Sequence, residues 1–135
     1  MSLASYIGCN REIPNNEEEH TEGFFIGSCF AGDNELKNIK KYQFTTQYVY
    51  EVSSHWGIDI SKYSTSEICW ESKKKLLKLC EVMDRYLEKG DFFELYSCWV
   101  GEETDSREGD LTLHLNHFDI DQIEISEKML VRFEK

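Results

Sequence analysis

The stretch from Ser64 to Gly90 constrains the fold of this chain more than any other, because it reads as one long amphipathic helix among segments that read as strands and turns. At 3.6 residues per turn, Cys69, Leu76, Cys80, Met83 and Leu87 fall in a narrow arc edged by Ile68, Leu79 and Tyr86. Glu71, Lys74, Lys78, Glu81, Arg85 and Glu88 lie opposite. Ser64 and Glu67 have the spacing of a capping box, and Gly90 suits the left-handed residue that closes a helix. The pairs Glu71 with Lys75 and Glu81 with Arg85 stand four residues apart and contribute about 0.2–0.5 kcal/mol each. The stabilising energy therefore lies in the apolar arc, which needs a sheet to cover.

The flanking segments supply one. Tyr6–Cys9 reads as a short strand, and Phe24–Phe30 as a strand apolar on both faces, which predicts an interior position. Asp33 is placed to cap a short helix over about 34–42, with Leu36 and Ile39 inward and Lys37, Lys40 and Lys41 in solvent. From Thr45 to Ser54, Tyr48, Tyr50 and Val52 alternate with Val49, Glu51 and Ser53, and His55-Trp56-Gly57 reads as the exit. Ile58–Ile60 reads as a brief strand or bend.

Phe92–Val100 is the most hydrophobic strand and is predicted to be central, with Phe93, Leu95 and Trp99 on one face and Phe92, Glu94, Tyr96, Cys98 and Val100 on the other. The charged turn Gly101–Asp110 then leads to alternating Leu111, Leu113 and Leu115, which predicts a hairpin. Met129–Phe133 reads as the last strand. The expected fold is α+β: a single, mostly antiparallel sheet of five to seven strands, with a long helix at about 64–89 and a short one at about 34–42 packed on one face.

The 135 residues match a single domain spanning 1–135, with Met1-Ser2-Leu3 read as a cloning remnant. No apolar run approaches the roughly 20 residues that cross a bilayer, and no secretory leader is legible, so a cytoplasmic location is expected. Five cysteines, an odd number without close pairs, read as reduced thiols rather than a disulfide framework. The net charge of −11 would repel a nucleic-acid backbone or an anionic membrane. Solubility alone explains such a charge, and so does an acidic surface that meets a basic protein.

The chemical constellations are sparse. His114 and His117 have H-x-x-H spacing, but residues three apart on a strand point to opposite faces, so no shared metal is expected. Asp119 and Asp121 lack the glycine and the terminal glutamate of a calcium loop. If the predicted hairpin forms, Thr112, His114 and Asn116 lie near Glu94, Tyr96 and Cys98, the outline of a thiol site with Cys98, His114 and Glu94 as its reacting groups. No nucleophile turn or phosphate-cradling loop accompanies that outline. Glu94 is awkward in so apolar a strand, and it reads either as an outward-facing residue or as the polar floor of a binding surface.

The leading expectation is a non-catalytic protein-binding domain, of the kind represented by immunity or inhibitor proteins that neutralise a basic partner. Glu102, Glu103, Asp105, Glu108 and Asp110 would supply steering charge, and Tyr48, Tyr50, Tyr96 and Trp56 the buried contact. The alternative is a small enzyme or small-ligand-binding protein built on Glu94, Cys98 and His114, and a third reading is a homo-oligomer subunit. No cofactor and no metal are expected.

Overall fold

The computed structural model describes residues 3–13, 24–27, 31–54, 56–62 and 65–135. In chain order the elements are β1 (Leu3–Cys9), β2 (Phe24–Ile26), α1 (Asp33–Tyr42), β3 (Tyr48–Ser54), α2 (Ser66–Tyr86), β4 (Phe92–Trp99), β5 (Gly109–His114) and β6 (Met129–Glu134). They form an α+β fold with one mixed sheet of six strands in the order β2-β3-β1-β4-β6-β5. Every pairing is antiparallel except β5 with β6.

α2 is shorter than its sequence pattern suggests. Ser64 lies outside the described residues, and Thr65 is the cap, its side chain accepting a hydrogen bond from the Ile68 amide at 3.2 Å. The helix ends at Leu87, whose N–H reaches the Met83 carbonyl. Gly90, at φ 98°, serves the turn that follows, where the Asp91 N–H bonds to the Glu88 carbonyl. In α1 the cap is Gly32 rather than Asp33, and the Gly32 N–H donates to the Glu35 carboxylate at 3.1 Å.

The two helices cover opposite faces of the sheet, not one. α2 lays Leu76, Leu79, Cys80 and Met83 over Ile7, Phe93, Leu95, Val131 and Phe133. α1 brings Ile39 and Leu36 to Ala4, Tyr6, Tyr96, Cys98 and Leu130 on the other side. β1 is buried at every position, so each of its faces needs a cover. Fully burying one such Leu or Met stabilises the fold by about 1.5–3 kcal/mol, so either layer is a substantial contribution. Gly8 is the close approach on the α1 side: a Cβ there would sit 2.3 Å from Thr46 Oγ1 and 2.8 Å from the Phe44 ring.

Strand order departs from expectation in three places. Leu3 rather than Tyr6 begins β1 and pairs with Trp99. Among the described residues β2 pairs only with β3 and forms an edge; Phe30 and its two predecessors lie outside the described residues. β5 makes no hairpin with β4, because β6 lies between them. Leu130, Val131 and Phe133 are buried on both faces of β6, and Phe133 stacks on Phe93 at 4.8 Å. β5 alternates half-buried and exposed residues, the pattern of an edge strand. The crossover from Leu115 to Lys128 runs back along α2, with Asn116 near Asp84, Asp121 paired to Lys73 and Ile125 bridged to Ile60.

Candidate functional site

β4 ends at Trp99 and the chain turns at Gly101, whose φ of 103° few other residues adopt. The next two carboxylates part company. Glu103 turns inward and is 3% exposed, and its Oε2 accepts from the Gly101 N–H at 2.9 Å and from the Tyr6 hydroxyl at 3.4 Å. Glu102 turns toward Lys128, whose ammonium lies 3.2 Å from Glu102 Oε1 and 3.1 Å from Asp105 Oδ2. Hydrogen bonding to Asp105 and then to Glu102 holds the Lys128 pKa well above its usual value.

The loop is strapped to the end of α1. Gln43 Nε2 donates to the carbonyls of Glu103 at 3.1 Å and Asp105 at 2.6 Å, and Arg107 Nη2 donates to the Gln43 carbonyl at 2.8 Å. Arg107 also pairs with Asp110 at 2.7 Å. Glu108 and Asp110 remain exposed. Because the Glu108 N–H bonds to the Lys128 carbonyl, the loop meets the end of the crossover, which carries Asp119, Asp121, Glu124 and Glu127. Residues 102–128 hold nine carboxylates against two cations, Arg107 and Lys128, and so carry seven of the eleven net negative charges. Beside this acidic end Trp56 and Trp99 meet edge to face, with ring centroids 5.4 Å apart. Both are half-buried, and Trp56 Nε1 is a buried donor without a partner among the described residues.

The predicted tyrosine cluster does not assemble. Tyr96 is fully buried on the α1 face, and desolvation raises its pKa. Tyr48 and Tyr50 lie on the opposite face, at the far end of the sheet, opposite Cys9 and Ile7. Tyr50 is half-buried and its hydroxyl accepts the Ile13 N–H at 2.8 Å. His55 lies outside the described residues.

The thiol outline comes apart as well. Cys98 sits at the Trp99 end of β4, whereas His114 pairs with Glu134, which pairs with Phe92 at the other end. Cys98 is fully buried, and burial, then the Glu103 and Glu102 carboxylates, push its pKa up to about 12. Glu94 is buried rather than outward-facing, 3.4 Å from Thr45 Oγ1, under the segment that crosses Gly8. Concavities of about 310 Å³ (Leu77, Asp84 and Phe118), 200 Å³ (Ile60, Cys69 and Ile123) and 360 Å³ (Leu36, Lys37 and Tyr48) lie elsewhere, and none is lined by Glu94, Cys98 or His114.

His114 and His117 are brought together, contrary to the strand argument. β5 ends at His114, and the following turn sets the two rings 4.7 Å apart. Among the described residues no cluster of three or more metal-ligating side chains exists there or elsewhere.

Two features escaped the sequence reading. The acidic crossover was visible only as charge asymmetry across residues 102–128. Trp70 is 61% exposed and Leu77 48% exposed on the outer face of α2, two turns apart, with Lys74 lying 4.0 Å over the Trp70 ring. No family model, curated protein or solved structure matches the chain. Among the described residues no helix is long and apolar enough to cross a membrane.

Proposed function

We propose that this chain is a non-catalytic protein-binding domain of the immunity or inhibitor kind, which neutralises a basic partner through the acidic end described above. The observation that carries this reading is the joining of two acidic segments, 101–110 and 119–127, at Lys128. A surface of one sign concentrates field at one end of the molecule and accelerates encounter with an oppositely charged protein. Glu102, Asp105, Glu108, Asp110, Asp119, Asp121, Glu124 and Glu127 provide that field. Trp56 and Trp99 provide aromatic area beside it. Glu103 and Tyr96 support the surface from within and are not contact residues. The same reading places the protein in the reducing cytoplasm, in keeping with free thiols at Cys9, Cys69, Cys80 and Cys98.

The test is to capture partners from source-cell lysate at low and moderate salt, and then to measure association of the purified pair by stopped flow. The triple variant Glu108→Lys, Asp119→Lys, Glu124→Lys is expected to slow association about tenfold or more and to flatten its salt dependence. The partner's own activity should fall on complex formation. An unchanged rate constant and salt slope would remove the acidic end from the interface.

A further inference from the structure

β5 closes one side of the sheet, and its six residues alternate half-buried and exposed. Among the described residues it pairs with β6 alone. Both of its connections lead away from that edge. The incoming loop crosses on the α1 side, where Arg107 reaches the Gln43 carbonyl, and the outgoing chain turns to the α2 side, where the Phe118 ring lies 5.6 Å from Phe133. Lysine and proline, common guards of an open edge, do not occur in the strand's sequence.

The direction of each backbone group follows from the Leu115 N–H, which donates to the Glu134 carbonyl at 2.8 Å. Lys135 agrees, since its own N–H and carbonyl bond to Asp91 and Gly90 on the β4 side. Alternate residues of a strand direct their amides and carbonyls to the same side. Leu111 and Leu113 therefore bond toward β6, and Asp110, Thr112 and His114 direct theirs outward. The side chains alternate in step: Leu111 and Leu113 join the α2 layer, and the other three are exposed on the opposite face. His114 is held as one tautomer. Its Nδ1 accepts the Asn116 N–H at 3.2 Å, so the hydrogen of the neutral ring sits on Nε2, a donor.

We propose that β5 is a homodimer interface, pairing antiparallel with β5 of a second copy about a two-fold axis at Thr112. The strand is self-complementary in that register. Thr112 exchanges N–H and carbonyl bonds with the second copy's Thr112, and the His114 N–H donates to the second copy's Asp110 carbonyl. On the exposed face the His114 Nε2–H meets the second copy's Asp110 carboxylate, and symmetry repeats the contact. On the α2 face Leu111 meets the second copy's Leu113. A register shifted either way pairs Asp110 or His114 with a residue outside the strand. The antiparallel sense also sends the two acidic loops to opposite ends of the joint, which limits repulsion between chains of net charge −11. The interface does not rest on the protein-binding reading.

Sedimentation equilibrium from about 10 to 500 µM tests the interface. The mass should rise from that of the 15.9 kDa chain toward its double, and Thr112→Asp, which sets two carboxylates against each other at the axis, should weaken association about tenfold or more. Circular dichroism checks that the variant folds. Cross-linking tests the register independently of that variant, with the linked peptides identified by mass spectrometry. With oxidised glutathione, Thr112→Cys should form a disulfide-linked dimer, because paired Cα atoms at the axis lie about 5.5 Å apart. Asp110→Cys should not, because its two copies lie about 13 Å apart. An equimolar mixture of Asp110→Cys and His114→Cys should cross-link. Three results would overturn the proposal: a single-chain mass at about 500 µM, association unchanged in a folded Thr112→Asp, or Asp110→Cys cross-linking as fast as Thr112→Cys.

Discussion

Tyr6 donates its hydroxyl hydrogen to the Glu103 carboxylate at 3.4 Å, across 97 residues of chain and inside the α1 face of the sheet. Both groups are buried, and the same carboxylate accepts from the Gly101 N–H, so one side chain ties the central strand to the base of the acidic loop. Glu103→Ala would leave the Gly101 amide and the Tyr6 hydroxyl without their acceptor, and the expected cost is about 3 kcal/mol. Tyr6→Phe removes one donor and is expected to cost about 1 kcal/mol. Urea midpoints of the two variants and of the double variant check this: the double should cost less than the two singles together.

Gly8→Ala is expected to destabilise by about 1–3 kcal/mol, because its Cβ would overlap Thr46 Oγ1 and the Phe44 ring. Thermal unfolding would report the loss. A variant as stable as the parent would mean that the 44–46 segment can lift off the sheet.

Cysteine reactivity should follow burial. Desolvation pushes both Cys80 and Cys98 up to about 12, so iodoacetamide near pH 8 should modify neither in the native state. Half-buried Cys69 should label at least about tenfold faster than either, and denaturant should abolish the difference. Peptide mapping by mass spectrometry reads the three sites separately. Rapid native labelling of Cys98 would reopen the thiol-enzyme alternative.

Acid sensitivity should centre in part on Asp91. Its carboxylate accepts the Glu88 N–H at 2.8 Å and the Asn10 side-chain amide at 3.0 Å, and it pairs with Arg11; the Glu88 bond is the largest cause of a pKa held below 3.8. A depressed carboxylate pKa contributes stability that is present in full above the unfolded value and is lost as pH falls through the folded one. Asp91→Asn should therefore be less stable than the parent at neutral pH, and the gap should close as pH falls well below 3.8. Urea midpoints at pH 7 and at acid pH measure it. A gap that stays constant with pH would mean that Asp91 acts through shape alone.

Much of the architecture is legible locally. The 3.6-residue spacing of Leu76, Leu79, Cys80 and Met83 predicts the buried face of α2, and the alternation in β3 and β4 predicts which residues share a sheet face. That parity holds on whichever strand is the neighbour, which is why His114 and Glu94 do lie on one face although their strands never touch. The hairpin does not form, because adjacency in sequence does not fix adjacency in the sheet. β6 has apolar residues for both faces and β5 does not, so β6 takes the place beside β4 and the connection becomes a crossover.

The acidic loop shows the same limit at the level of single residues. Glu102 and Glu103 are chemically equivalent neighbours, yet one is paired at the surface and the other is buried against Tyr6. Sequence by itself determined the α+β class, the inward faces of the elements and the concentration of negative charge after Gly101, because periodicity and composition are properties of contiguous residues. Only the tertiary structure decided the strand order, the placing of the helices on opposite faces, and which carboxylates, tyrosines and lysines reach solvent. Those outcomes depend on side chains many tens of residues apart competing for the same buried volume, and no local pattern records that competition.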